Sequence, residues 1–235
     1  MLIVIDPGHG GKDPGACGNG LKEKDITLEL GQLVAAELKN YLVEVLMTRR
    51  EDVDVSLTER VRIANEKKAD FFLSLHVNAG GGTGFESYRD EAAGMTTIRY
   101  QKIIHNAVKL YMDLLPDRGK KAAQAPRFYV LRHTSMPAVL LENLFIDHPE
   151  EAACLADRRF LGGLARAIAA GVVAALGIKP RVEPEPAWDP QKEIDRLKER
   201  GLIAGNKNAS SPVPWGELAT VLNRLLDKGA YECNR

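Results

Sequence analysis

Residues 1–15, MLIVIDPGHGGKDPG, carry the first decision about the fold. Leu2 to Ile5 form a short, continuous apolar run, the pattern of a strand buried on both faces. The run stops at Asp6, and His9 then sits among four glycines and two prolines. Two readings of His9 stand at this point. Gly8, Gly10 and Gly11 are turn residues with an incidental histidine between them, or the turn is shaped to present an imidazole at the mouth of a buried strand.

The same alternation continues outward. DITLELGQLVAAELKN places Leu28, Leu30, Leu33, Val34 and Leu38 on one helical face. YLVEVLMT reads as a second strand. Ser56 opens SLTERVRIANEKKA with Glu59 three places on, a capping box, and Leu57, Val61, Ile63 and Ala64 as the buried side. DFFLSLHVNA is a third strand ending near His76, and AGGGTGFESY leads through glycines into a short strand. A helix is expected from Met95 to Leu115, DRGKKAAQAPR as an exposed loop, FYVLRHT and PAVLLENLF as two further strands, and two closing helices up to Gly177. Strands alternating with helices predict an α/β fold, a twisted, mostly parallel sheet with helices on both faces. Ligands of such folds gather beyond the strand ends. Asp6 to His9, His76 to Asn78, and Glu142 with Asn143 all fall at those ends.

Composition narrows the class. The chain has 235 residues, 45% hydrophobic and 27% charged, the profile of a soluble globular protein. Lys plus Arg and Asp plus Glu are equal at 32 each, so no global basic field argues for nucleic acid. No segment reads as membrane-spanning; the apolar stretch around Arg166 is short and alanine-rich. Met1 runs directly into the first strand without the pattern of a secretory signal, and a cytoplasmic origin is expected. Cys17, Cys154 and Cys233 are odd in number and widely spaced, against a disulfide scaffold or a zinc ribbon. Four prolines between Ile178 and Gln191 mark a semi-rigid linker over 179–190, after a first domain over 1–178. Residues 191–235 hold two helical patterns, a small all-helical domain whose core is marginal unless it packs or pairs with itself.

His9, Glu23 and His76 form one of the ligand sets of catalytic zinc, which takes three protein ligands and keeps a fourth position for water. Singly, each has an ordinary alternative: a hydrogen-bonded strand-end histidine, or a solvated surface glutamate. Glu142 follows Val139, Leu140 and Leu141, so its carboxylate tops a buried strand. A charge there needs a cation, such as Arg132 or Arg127, or a proton-transfer task.

Longer words carry a family resemblance. DPGHGGKDPGA, GLKEKD, SLTERVRIAN, ADFFLSLHVNA and VLRHTSMPAVLLENLFIDHPEEA occur in that order across residues 1–178. In them the chain resembles the zinc-dependent N-acetylmuramoyl-L-alanine amidases of the amidase-3 type. The resemblance implies one Zn²⁺ held by His9, Glu23 and His76, and Glu142 as the catalytic glutamate. It implies hydrolysis of the amide joining N-acetylmuramic acid to L-alanine in peptidoglycan. Asn78, Arg132 and His133 are expected to touch substrate, and Asp6 to orient His9; Asp6 as a turn carboxylate is the alternative. Glu91 to Ala125 shows no family word.

RLKERGLIAG and VPWGELATVLNRLL resemble the small helical repeats at the ends of phage lysins and cell-wall proteins. That implies wall binding, with Trp188 and Trp215 as stacking candidates and self-association of the helices as the alternative. Together these features point to a bacteriophage endolysin, made in the host cytoplasm without a signal peptide and acting on the cell wall after release, with no nucleic-acid partner and no membrane insertion. A sporulation amidase of the mother cell, and a zinc peptidase cutting within the stem peptide, are the rivals.

Overall fold

The computed structural model describes residues 1–123, 128–181, 190–205 and 212–232. Contacts divide the chain into two units, Met1–Arg181 and Val182–Arg235. Most of the expected linker, with Trp188, lies outside the described residues, as do Arg127 and Cys233.

The first unit is a six-stranded sheet. In chain order its elements begin with β1 (Leu2–Pro7), the short hairpin β2 (Cys17–Gly18) and β3 (Leu21–Lys22), α1 (Glu23–Leu38) and β4 (Glu44–Met47). Next come α2 (Leu57–Glu66), β5 (Phe71–Asn78), β6 (Phe85–Asp90), α3 (Met95–Tyr111) and β7 (Asp117–Ala123). The unit closes with α4 (Tyr129–His133), β8 (Ala138–Phe145), α5 (Pro149–Ala156) and α6 (Arg158–Leu176). The strand order is β4-β1-β5-β8-β6-β7. Every neighbouring pair is parallel except β8 with β6, so the sheet is mixed but mostly parallel.

The central strands are apolar on both faces because both faces are covered. Ile3, Ile5, Leu73, Leu75 and Leu141 pack with α1, α3 and α6; Val4, Phe72 and Leu140 pack with α2 and α4. Period two along β5 therefore assigns Phe72, Ser74 and His76 to the α2–α4 face. Val4 and Asp6 of β1 and Leu140 and Glu142 of β8 share that face.

Several expected elements differ. Residues 117–123 form edge strand β7, where an exposed loop was expected from the charges; an edge strand open to water on one side accepts lysines. FYVLRHT is not a strand but the five-residue helix α4, entered through Phe128 with φ 59°. Its aromatic and β-branched residues suit a half-buried surface of either kind. Helix α3 ends at Tyr111, before the expected Leu115. Ser56 does cap α2, its Oγ accepting from Glu59 N at 3.2 Å, but Leu57 is exposed. Helix α6 is long and apolar enough to cross a membrane, against the expectation for this stretch. Its apolar residues, from Leu161 to Ala175, are buried against α1, α3 and α5, as in the core helix of a folded domain. The second unit contains α7 (Pro190–Glu199) and α8 (Trp215–Glu232), and Gly201 with φ 63° stands just past α7 as its sequence suggests.

Beneath the turn that carries His9 lies a buried polar network. Asp6 accepts from Thr48 Oγ1 at 2.7 Å, Ser74 Oγ at 2.8 Å and Arg60 Nη1 at 2.7 Å. Arg60 also donates to the carbonyls of Pro7, at 2.6 Å, and His9, at 2.7 Å. Both charges are buried, Asp6 at 1% and Arg60 at 3% exposure. Removing one partner leaves the other charge uncompensated, which costs about 3–5 kcal/mol. Arg60→Met is expected to lower the free energy of urea unfolding by that amount; a loss of less than about 1 kcal/mol contradicts the account.

Candidate metal and active site

His9 stands in the loop after β1 with φ 61°, a left-handed conformation that a histidine adopts only when its surroundings impose it. Two arginines impose it. Arg60 binds the carbonyls of Pro7 and of His9 itself. Arg49 donates to Pro7 O at 3.1 Å and Gly8 O at 2.9 Å, and reaches Lys24 O at 2.7 Å, so it ties the loop to α1. Glycines make the space: a Cβ on Gly8 would lie 2.4 Å from the His76 ring, and one on Gly15 2.6 Å from Glu23 and 2.7 Å from the His9 ring. The opening histidine is thus presented, and not incidental to the turn.

Glu23 is delivered from the opposite direction. The hairpin β2–β3 turns at Asn19 and Gly20, both at positive φ, the requirement of a tight two-residue turn. It ends at the first residue of α1, which is Glu23. His76 comes from β5. Glu23 Oε2 lies 3.1 Å from His9 Nε2, and Glu23 Oε1 lies 3.0 Å from His76 Nδ1. Ligand atoms of the three side chains all fall within 4.8 Å of one another. Two ligands at about 2.0–2.1 Å from a tetrahedral ion stand about 3.3–3.4 Å apart, so this spacing and donor set suit a zinc-sized cation.

The carboxylate is anchored independently of the histidines. Val77 N donates to Oε1 and Ala16 N to Oε2, both at 2.9 Å. Burial works to raise its pKa, but the hydrogen bonds and charges of His76 and His9 win and hold it well below the usual carboxylate range. For His9, burial works to lower the pKa; Glu23 and Asp13 more than reverse this and raise it to about 9. His76 is likewise raised: burial opposes its charge, and its hydrogen bond to Glu23 and the charges of Glu142 and Glu23 overcome it.

Asp6, expected to orient His9, reaches it only indirectly. Asp6 does not touch the ring, since its oxygens are taken by Thr48, Ser74 and Arg60. Asp13 does, with Oδ2 2.7 Å from Nδ1. A carboxylate on Nδ1–H fixes the tautomer that leaves Nε2 free to ligate. Asp6 acts on the His9 backbone only, through Arg60. Asp13 sits inside the quoted opening stretch, four residues after His9, and could have been singled out there.

Glu142 is paired in register with His76 across β5 and β8, and is 9% exposed. It lines the same cavity, of about 630 Å³, as His9, Glu23 and His76. Asn78 also lines it, donating to Glu86 Oε1 at 2.7 Å. Arg132 and His133 do not. Both are exposed; Arg132 lies 3.7 Å from Asp90, and His133 stacks on Tyr129 at 4.1 Å. Because 129–133 is helical, the cavity is lined instead by Phe128, Tyr129 and Val130. Asn143 and Leu144 fall at a bulge, Leu144 with φ 67°, and Asn143 Nδ2 donates to His76 O at 3.0 Å. They brace the strand.

One other arrangement has the order of a hydrolytic triad: Ser87 Oγ is 2.9 Å from His105 Nδ1, and His105 Nε2 is 2.8 Å from Asp117. Ser87 and His105 are both 0% exposed, so no substrate reaches the hydroxyl. The chain of bonds fastens α3 to β6 and β7. Cys17 and Cys154 are free thiols.

Residues 3–174 match the family described as N-acetylmuramoyl-L-alanine amidase. The sporulation-specific N-acetylmuramoyl-L-alanine amidase of Bacillus subtilis is 49% identical over 181 residues, 76% of this chain and 69% of that protein. The endolysin of Bacillus phage SPP1 is 45% identical over 206 residues, 82% of this chain and 75% of that one. Among solved structures, the catalytic domain of CwlV, an amidase from Bacillus (Paenibacillus) polymyxa, superposes with a TM-score of 0.70 at 34% identity, covering 76% of this chain and 99% of that domain. Fold, site and sequence agree: the chain belongs to the N-acetylmuramoyl-L-alanine amidase family.

Proposed function

We propose that this protein is a zinc-dependent N-acetylmuramoyl-L-alanine amidase of the endolysin kind, hydrolysing the bond between N-acetylmuramic acid and L-alanine in peptidoglycan. The observation that carries the reading is the meeting of His9, Glu23 and His76 within 4.8 Å, beside Glu142. His9, Glu23 and His76 would hold the metal. A zinc ion bound there supplies Lewis-acid chemistry, acidifying water and polarising a carbonyl. Glu142, at the cavity wall next to His76, takes the proton from the attacking water and returns it to the departing alanine nitrogen. Asp13 keeps the His9 ring in the ligating tautomer, and Arg49 and Arg60 hold its backbone. Asn78 stands at the cavity edge, fixed by Glu86, where it can donate to or accept from substrate.

The endolysin reading is supported by the SPP1 match, which spans 82% of this chain, further than residues 3–174. Such an enzyme is made in the host cytoplasm and meets the wall on release. The sporulation relative, more similar at 49%, supports the rival that the protein acts in the mother cell. Residues 191–235 then serve as a wall-binding or self-associating domain behind the 179–190 linker. In support, α8 exposes Trp215, Leu218, Leu222 and Leu225 along one side.

Glu142→Gln keeps shape and removes the proton acceptor. We expect a fall of about 100- to 10,000-fold in release of L-alanine amino groups from purified peptidoglycan, at unchanged zinc content. Full activity in this variant overturns the assigned role, and new amino groups on other residues would identify a peptidase.

Metal uptake should also displace protons. With a pKa of about 9, the metal-free His9 ring is protonated at neutral pH and must lose that proton to ligate. Calorimetric zinc titrations in buffers of differing ionisation enthalpy should show at least about one proton released per site at pH ~7, and fewer at pH ~10; a pH-independent count contradicts this. Asp13→Ala is expected to weaken zinc binding by about 10- to 100-fold, read by chelator competition.

A further inference from the structure

The row of side chains that begins at His76 and Glu142 does not end there. Glu142 is paired with Glu86 across β8 and β6, and Glu86 is paired with Gly119 across β6 and β7. Directly opposite residues point to the same face. Glu86 is 2% exposed and accepts from Asn78 at 2.7 Å, Tyr88 Oη at 2.9 Å and Arg118 Nε at 3.1 Å, and from Lys121. One buried carboxylate thus seats two cations, leaving an excess positive charge. Burial works to raise the Glu86 pKa, and Lys121, Tyr88 and Arg118 overcome it, so the seat stays ionised.

The two cations face a second cavity, of about 440 Å³, which shares Asn78 and Ala79 with the cavity of Glu142. Arg118 gives Glu86 only its Nε and lies over the Phe145 ring at 5.0 Å. Its terminal nitrogens have no acceptor among the described residues, and the side chain is 38% exposed. A guanidinium held in this way offers its fork to a carboxylate. Strand β7 is two strand spacings from β8, about 10 Å. An extended peptide covers that in about three residues.

We propose that Arg118 and Lys121, seated on Glu86, form the subsite for a free carboxylate on the second or third residue of the stem peptide. The choice of the peptide over the glycan follows from charge. The muramoyl carboxyl is consumed in the scissile amide, so the acidic groups left on the substrate lie on the peptide side. The aromatic wall of Phe128 and Tyr129, at the other cavity, suits the faces of sugar rings. The inference rests on the amidase reading above and adds the polarity of the bound substrate: glycan towards α4, peptide towards β7.

The test uses the full chain with zinc and four synthetic muramoyl peptides. The second residue is D-glutamate or its α-carboxamide, and the third carries or lacks a side-chain carboxylate. Wild type should favour the acid at one of the two positions by about tenfold in kcat/KM, mostly through KM, and that position identifies which carboxylate is bound. Arg118→Met and Lys121→Met should each reduce the preference to about one- to threefold, and Arg118→Lys, which keeps the charge and loses the fork, should fall between Arg118→Met and wild type. The preference is a ratio measured within one protein, so a fall in folded fraction does not alter it. Wild-type ratios near one at both positions, or ratios unchanged in both Met variants, overturn the subsite. No cleavage of any of the four by wild type overturns the amidase reading itself.

Discussion

Glu23 is the side chain on which the site converges. It is buried, it accepts two backbone amides, one from the loop before β2 and one from strand β5, and it places one oxygen against each histidine. The amides of Ala16 and Val77 hold the carboxylate whether or not the imidazoles are charged, so the anion is fixed before any cation arrives. Like groups are thereby avoided: two basic rings meet across one acid, and their mutual repulsion is offset where they approach at 5.0 Å. A divalent ion bound there would replace the protons in that arrangement and would not need to build it.

The surroundings show how much structure such a presentation requires. His9 lies on a turn with an unfavourable backbone angle, and loops of that kind relax unless over-determined. Arg49 and Arg60 supply the constraint by occupying the carbonyls of Pro7, Gly8 and His9. Asp6, buried below, holds Arg60 in place. The glycines at 8 and 15 leave the volume that two imidazoles and a carboxylate fill. The site is therefore a pocket on strand ends, and Glu142, its proposed catalytic partner, is set beside it by sheet register.

What was legible in the sequence followed from period and burial. The apolar runs of β1, β5 and β8 read as strands because those strands are covered on both faces, and the helix patterns of α1, α2 and α6 read from their inward stripes. The misreadings have separate physical causes. β7 is an edge strand, half open to water, so it is rich in charged residues and its pattern is that of a loop. α4 is five residues long, too short for a helical period, and its aromatic residues mimic a strand. Arg132 and His133, expected to touch substrate, stand exposed on α4, while Phe128 and Tyr129 line the cavity of His9 and Glu142. Asp6 was paired with His9 by proximity in sequence; the strand geometry sends its carboxylate beneath the turn, and Asp13 reaches the ring from the loop.

The sequence by itself determined the alternation of elements, the glycine turn around His9, and the identity of the residues able to bind a metal or move a proton. Those properties are local: they depend on side-chain chemistry and on spacing along one strand or helix. Tertiary structure alone decided the strand order that sets β8 between β5 and β6, hence the pairing of His76 with Glu142 and of Glu142 with Glu86. It also decided that Glu23 meets the His76 ring. These depend on contacts between segments 40 to 130 residues apart, such as Arg60 on Asp6 and Asn19 on Ile146, whose partners are selected by packing against a common core and leave no periodic trace in the chain.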